Sequence, residues 1–257
     1  MRNSILLFLI LIITFNACSS DNDIPIINAK ITLNFTHHWD ETPVTNEDFN
    51  SIKFTTKNGE QLSIERLRYV ISNVLLTDAK NNIDTLSNYH LINIGENSGL
   101  SYESPKTVHP GIYDLTFIFG FKDADNVDSA YKDLNTANFN VPAMLGGGYH
   151  FMQFDGKYKD TNIQDSNFNY HAIRAVDRTD PNNLKFQDTS IAVDLGEVII
   201  DNNASIEIKM NIAEWFKNPN TWDLNVLNTV LMPNFDAQKM MSENGEGVFS
   251  LGEITQN

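Results

Sequence analysis

The chain has 257 residues, with 33 acidic against 18 basic side chains and a formal net charge of −15. That balance argues against nucleic acid and anionic lipid as partners and leaves cations as compatible ligands. With one cysteine in the chain, it has no internal disulfide and no zinc–thiolate cluster.

In chain order, Met1-Arg2-Asn3 is followed by an apolar run from Ile5 to Phe15. At about ten residues, that run is too short to cross the roughly 30 Å of bilayer hydrocarbon as a helix. One positive charge, a short apolar core and then small residues read as a signal peptide over 1–17. Cys18 follows Phe15-Asn16-Ala17. The segment resembles a lipobox, in which cleavage before the cysteine precedes acylation of its sulfur. Several acyl chains on one residue give stable anchoring where a single chain does not. Residues 18–27 then form a short tether, and the acids Asp21 and Asp23 within it resemble a surface-export signal. These features make the chain an outer-membrane lipoprotein, held on the periplasmic face or the cell surface, whose membrane partner is reached through the anchor at Cys18.

The remaining residues, 28–257, suffice for one domain. Period-two alternation is the dominant signal there. Strands are expected at Lys30–Phe35, Leu67–Thr77, Tyr89–Ile94, Tyr113–Phe121, Tyr149–Tyr158, Phe168–Val176, Thr189–Leu195 and Ala204–Ile212. In the last of these, Ala204, Ile206, Ile208, Met210 and Ile212 alternate with polar residues, which reads as a half-buried antiparallel strand. Gly, Pro, Asn and Asp clusters separate the strands, as turns require. The fold class is therefore all-β, a mostly antiparallel β-sandwich with one or two short helices. Asp128–Leu134 supplies a turn or two of helix. A better helix is expected at Asp236–Glu243 near the C-terminus, with Asp236 as N-cap and Gly245 just past its end.

Six histidines are available, and in an extracytoplasmic chain without thiolates His and Met are the remaining soft and borderline metal ligands. His37 and His38 are adjacent at a strand end, so one faces inward and the other outward. His150 shares a strand face with Met152 and Phe154. If strands 149–158 and 168–176 pair as a hairpin, His150 and His171 come near each other, and a third imidazole from the 37–38 end would complete a thiolate-free copper-type site. Taken singly, each histidine reads as a structural side chain.

Other patterns carry less chemistry. Asp123–Asp128 resembles a calcium loop, but its sixth and twelfth positions are Asp128 and Leu134 where an EF-hand needs Gly and Glu. There is no Gly-x-Ser-x-Gly elbow, no His-Glu-x-x-His and no phosphate-cradling loop, so the chain is not expected to be an enzyme. Gly146-Gly147-Gly148 reads as a flexible turn into a strand. Trp215 and Trp222 flank a turn, where they serve either as core packing or as a sugar-stacking platform.

Three segments carry a family resemblance: Phe35-Thr36-His37, Leu67-Arg68-Tyr69-Val70-Ile71-Ser72-Asn73, and Gly148-Tyr149-His150-Phe151-Met152-Gln153-Phe154-Asp155-Gly156. With Gly120-Phe121, Asp133-Leu134-Asn135, Met144 and Tyr170-His171 in the same order, the chain resembles the MbnP-like family, copper-binding proteins associated with methanobactin, over nearly the whole mature length. The resemblance implies a β-sandwich. In some members it also implies a copper site with a tryptophan oxidised to kynurenine by a partner haem enzyme. The tryptophans of that pattern would fall near Ala143 and Leu145, so a kynurenine there is absent, and Trp39 is the tryptophan nearest the histidines in sequence. Copper then carries over onto His37, His150 and His171, with His38 and Met152 as further donors. The expected role is copper capture or delivery. The alternative is a surface adhesion or glycan-binding module without metal.

Overall fold

Alternate burial along the chain generates almost all of the regular structure. A computed structural model describes residues 28–180 and 182–257. The expected signal peptide over 1–17, Cys18 and the expected tether over 18–27 lie outside the described residues. In chain order the strands are β1 (Ala29–Trp39), β2 (Thr42–Pro43), β3 (Phe54–Thr55), β4 (Gln61–Leu62), β5 (Arg66–Asp78), β6 (Ile83–Asn93), β7 (Ser101–Val108), β8 (Gly111–Phe119), β9 (Met152–Lys159), β10 (Asp165–Ala172), β11 (Ala175–Asp177), β12 (Lys185–Gln187), β13 (Ile191–Ile200), β14 (Ala204–Asn211) and β15 (Phe249–Gln256). Among the described residues, two α-helices, α1 (Lys132–Thr136) and α2 (Phe235–Gly245), complete the set with three short 3-10 turns.

Two sheets pack face to face. The five-stranded sheet runs β15-β14-β1-β2, and β7 also pairs with β1. The eight-stranded sheet runs β13-β8-β5-β9-β4-β3, with β6 on β5 and β10 on β9. Ala29, Ile31, Leu33 and Phe35 of β1 and Ile206, Ile208 and Met210 of β14 point into the space between them, all nearly inaccessible. Aromatic rings bridge the layers: Phe249 of β15 lies 5.2 Å from Phe117 of β8 and 5.9 Å from Tyr69 of β5. Each large apolar side chain buried there stabilises the sandwich by about 1.5–3 kcal/mol.

The helix expected over Asp128–Leu134 forms at Lys132–Thr136 and the strand expected from Tyr149 begins at Met152, and three further elements differ from their expected form for identifiable reasons. β14 is half-buried as expected, but it is antiparallel only to β15. Its other neighbour, β1, runs parallel to it, with Ile31 opposite Ala204 and His37 opposite Met210. Alternation reports that one face is buried and carries no information about a neighbour's direction. The expected strand 168–176 is two strands, because the chain leaves the ladder at Ile173 and Arg174 before β11 begins. In α2 the capping atom is Asn234 Oδ1, which accepts from the amide of Ala237 at 3.1 Å. Gly245 belongs to the helix itself, where a Cβ would lie 2.2 Å from Ile191. Its role is close packing and not termination.

The triglycine run is a docking surface between two loops. Gly146, Gly147 and Gly148 all have positive φ. Asp128 Oδ1 accepts from the amide of Gly148 at 2.6 Å and Asn126 Oδ1 from that of Tyr149 at 2.8 Å. The acidic loop thus spends its oxygens on protein donors: Asn126 and Asp128 take backbone amides, Asp125 accepts from Asn73 Nδ2 at 3.2 Å and Asp123 pairs with Arg174 at 3.5 Å. A Cβ on Gly148 would stand 2.4 Å from Asn126 Oδ1.

Two predictions follow from these contacts. Gly148→Ala combines that clash with a φ of +76°, and urea unfolding is expected to show a loss of about 1–3 kcal/mol. Gly247→Ala, with open space around its site, is expected to change little. The second concerns His37, whose pKa is pushed down to about 3 by burial and then by His38. The unfolded chain therefore binds the proton more tightly, so stability falls as pH drops from about 6.5 toward 3, at up to about 1.4 kcal/mol per pH unit. His37→Gln is expected to remove that share of the slope between pH 7 and 5. An unchanged slope would contradict the assignment.

Candidate metal centre

The β9–β10 hairpin forms as the sequence suggests, with Gln153 opposite His171, Asp155 opposite Asn169 and Met152 opposite Ala172. On its other edge β9 meets β5, with Arg66 opposite Asp155 and Arg68 opposite Gln153. Side chains in register share a face of the sheet. Arg66, Arg68, Gln153, Asp155, Asn169 and His171 thus form one polar field on the outer face. Met152, Tyr69 and Ala172 look into the core.

His150 joins the outer field through a break in the alternation. The amide of Phe151 donates to the carbonyl of Ala172 at 2.8 Å, although Met152 is already the residue paired with Ala172. Two residues opposite one is the geometry of a β-bulge, and it shifts the side-chain phase by one position. His150 therefore does not share a face with Met152, as simple alternation predicts. Its ring lies 5.3 Å from that of His171, edge to face.

The hydrogen bonds of the two rings fix their tautomers. His150 Nδ1 lies 2.9 Å from the carbonyl oxygen of Phe139, which only accepts, so Nδ1 carries the proton and Nε2 keeps its lone pair. Burial is the main cause that pushes the pKa of His150 down to about 4, and the charges of Arg68 and Arg66, with that of His171 whenever it is protonated, add to it against the Phe139 hydrogen bond. The ring is neutral at pH 7. His171 Nε2 donates to Asp155 Oδ1 at 2.9 Å, and its Nδ1 is buried without a hydrogen-bond partner.

Asp155 is well supported in this role. Burial opposes its ionisation, yet hydrogen bonds from His171, Arg66 and Asn169 hold its carboxyl well below the usual carboxylate range. Arg68 donates to Gln153 Oε1 at 2.7 Å and lies over the ring of Phe139 at 5.4 Å, which steadies the segment that orients His150. A carboxylate behind one imidazole and a backbone carbonyl behind the other is the usual outer shell of metal-ligating histidines. Neither Asp155 nor Phe139 was legible as a partner from composition. The signal for Asp155 was the hairpin register, which sets it diagonal to His171.

The remaining candidates lie elsewhere. His37 faces the core from β1, with Nε2 3.1 Å from Tyr69 Oη. Tyr69 is on the inner face of the eight-stranded sheet, so that sheet separates His37 from the pair. His38 points the other way on β1 and lines a polar surface hollow with Asp40 and Asn211. The inward and outward split of the two is as expected. Met152 is fully buried among core residues. Trp39 stacks on Phe54 at 4.9 Å and donates to the Thr55 carbonyl at 3.2 Å, away from the pair. Trp215 and Trp222 are both at 0% exposure, packed on Tyr170, so they offer no face to a sugar. Among the described residues no group of three or more His, Cys, Asp or Glu side chains converges as a metal cage. The pair leaves one nitrogen of each ring without a hydrogen-bond partner among the described residues.

A search of curated proteins gives no match. The solved structure of MbnP from Methylosinus trichosporium aligns with a TM-score of 0.48 at 12% identity, covering 88% of this chain and 98% of that one. The family model for MbnP matches residues 28–233. That span is most of the chain and holds every residue of the histidine pair and its supports, and the chain belongs to the MbnP family.

Proposed function

We propose that this chain is a non-enzymatic copper-handling lipoprotein that takes Cu(I) on His150 Nε2 and His171 Nδ1. The observation that carries the reading is the pair of fixed tautomers. Each ring spends one nitrogen on a protein acceptor, Phe139 O or Asp155 Oδ1, and leaves the other uncommitted. Neutral imidazole suits copper, and a two-donor set suits Cu(I), which accepts low coordination. The lowered pKa of His150 removes proton competition at neutral pH. Family membership supports the same reading. Its physiological role is capture or delivery of the ion outside the cytoplasm. The anchor is the acylated Cys18 in the outer membrane, on the periplasmic face or the cell surface.

Titration of the purified protein with Cu(I) and Cu(II), beside a His150→Ala, His171→Ala double variant, checks this. Tight binding of Cu(I) at one ion per chain, lost in the variant, is expected. Asp155→Asn is expected to weaken it by about 10–100-fold, as outer-shell changes do. Absence of binding, or binding that survives the double variant, would sink the copper reading.

A further inference from the structure

A second polar group left open by the fold lies on the other side of the sandwich. β2 and β7 share the edge of β1 that faces away from β14. They part at Phe35–His37, where the amide of Phe35 takes the carbonyl of Leu100 and the carbonyl of His37 takes the amide of Val44. The parting leaves a cavity of about 290 Å³. Phe35, Val44, Ile94 and Leu100 give it apolar walls, His37 lies in its lining and Glu207 at its rim.

His37 is only 4% exposed, and its proton can be placed. Tyr69 is completely buried and its hydroxyl has His37 Nε2 as its hydrogen-bond partner. Burial raises the tyrosine pKa, so the phenol keeps its proton. An unbonded hydroxyl proton in the core would cost on the order of 1–3 kcal/mol, so Tyr69 donates to Nε2. The neutral imidazole then carries its own proton on Nδ1. That N–H has no hydrogen bond from the described residues and, unlike His171 Nδ1, is not among the sealed unpartnered atoms.

We propose that this cavity binds a compact, uncharged, largely apolar molecule through a carbonyl-type acceptor that takes the Nδ1–H of His37. The volume is at the small end of ligand sites, and mainly apolar walls with a few polar groups, here His37 with Thr36, His38, Thr45 and Asn97, are what such sites present. Glu207, whose oxygens accept from Thr36 Oγ1 at 2.8 Å and from the amide of Glu253 at 3.0 Å, keeps a negative charge at the rim. That charge, with the acidic chain around it, disfavours anionic ligands.

Acetophenone, ethylbenzene and benzoate serve as probes, being close in shape and differing in the acceptor and the charge. Heteronuclear NMR titration of the full chain in detergent is the measurement. Acetophenone is expected to shift the amides of Phe35, Val44 and Leu100 in a saturable way and to bind about tenfold more tightly than ethylbenzene, the worth of one good hydrogen bond. Benzoate is expected to bind more weakly than acetophenone. Leu100→Trp, at a half-buried wall position, is expected to fold and to abolish the shifts. His37→Phe removes the donor and is expected to equalise acetophenone and ethylbenzene. Equal affinities for those two in the unaltered chain, no saturable shifts at these amides, or binding that survives Leu100→Trp would each overturn the proposal.

Discussion

The carbonyl of Phe139 accepts twice from His150, once from its amide and once from its ring, both at 2.9 Å. That double contact holds the segment before β9 in place, and the histidine pair depends on it. It works because the loop of Asn126 and Asp128 takes the amides just upstream, at Tyr149 and Gly148, so the chain enters the sheet at a defined height. The bulge at Phe151 and Met152 then turns the next side chains over. Without it His150 would point into a dry core, where a free imidazole nitrogen has no use. With it, the ring meets His171 on a face already furnished with Asp155, Arg66 and Arg68.

The two faces of the eight-stranded sheet divide the chemistry. The inner face is packed with aromatic rings, and its few polar groups include His37, whose Nε2 is paired with Tyr69. Buried polar groups without partners are costly, so the unpartnered Nδ1 of His171 on the outer face calls for a partner that the described residues do not supply. In the proposed reading a metal ion is that partner, and the lowered pKa of His150 favours an ion over a proton.

Much of this was readable from the sequence because alternation survives in it. The rows Ala204–Ile212 and Tyr113–Phe121 mark strands close to where β14 and β8 lie, and the two strands expected at 149–158 and 168–176 do pair as a hairpin, β9 with β10. What was hidden has physical causes. β7 carries Pro105 and few apolar side chains, so no row shows. Proline is at home on sheet edges, where no ladder bond is lost. In β15 a register shift against β14 breaks the period between Leu251 and Ile254. The parallel pairing of β1 and β14 joins residues more than 170 positions apart, and nothing local marks it. At the site, the bulge moved His150 to the face opposite Met152. A one-residue change of phase leaves no trace in composition. The triple site of His37, His150 and His171 reduced to a pair because facing inward from one sheet and outward from the other are indistinguishable in a linear pattern.

The copper reading rests on His150 and His171 being held as opposite tautomers with one lone pair each left free. Long-range ¹⁵N NMR of the histidine rings at pH 7, recorded without metal and then with Cu(I), tests it most directly. The arrangement predicts a protonated Nδ1 on His150 and a protonated Nε2 on His171, with copper shifting only the other nitrogen of each ring. Reversed tautomers, or copper perturbing the nitrogens bound to Phe139 and Asp155, would contradict it.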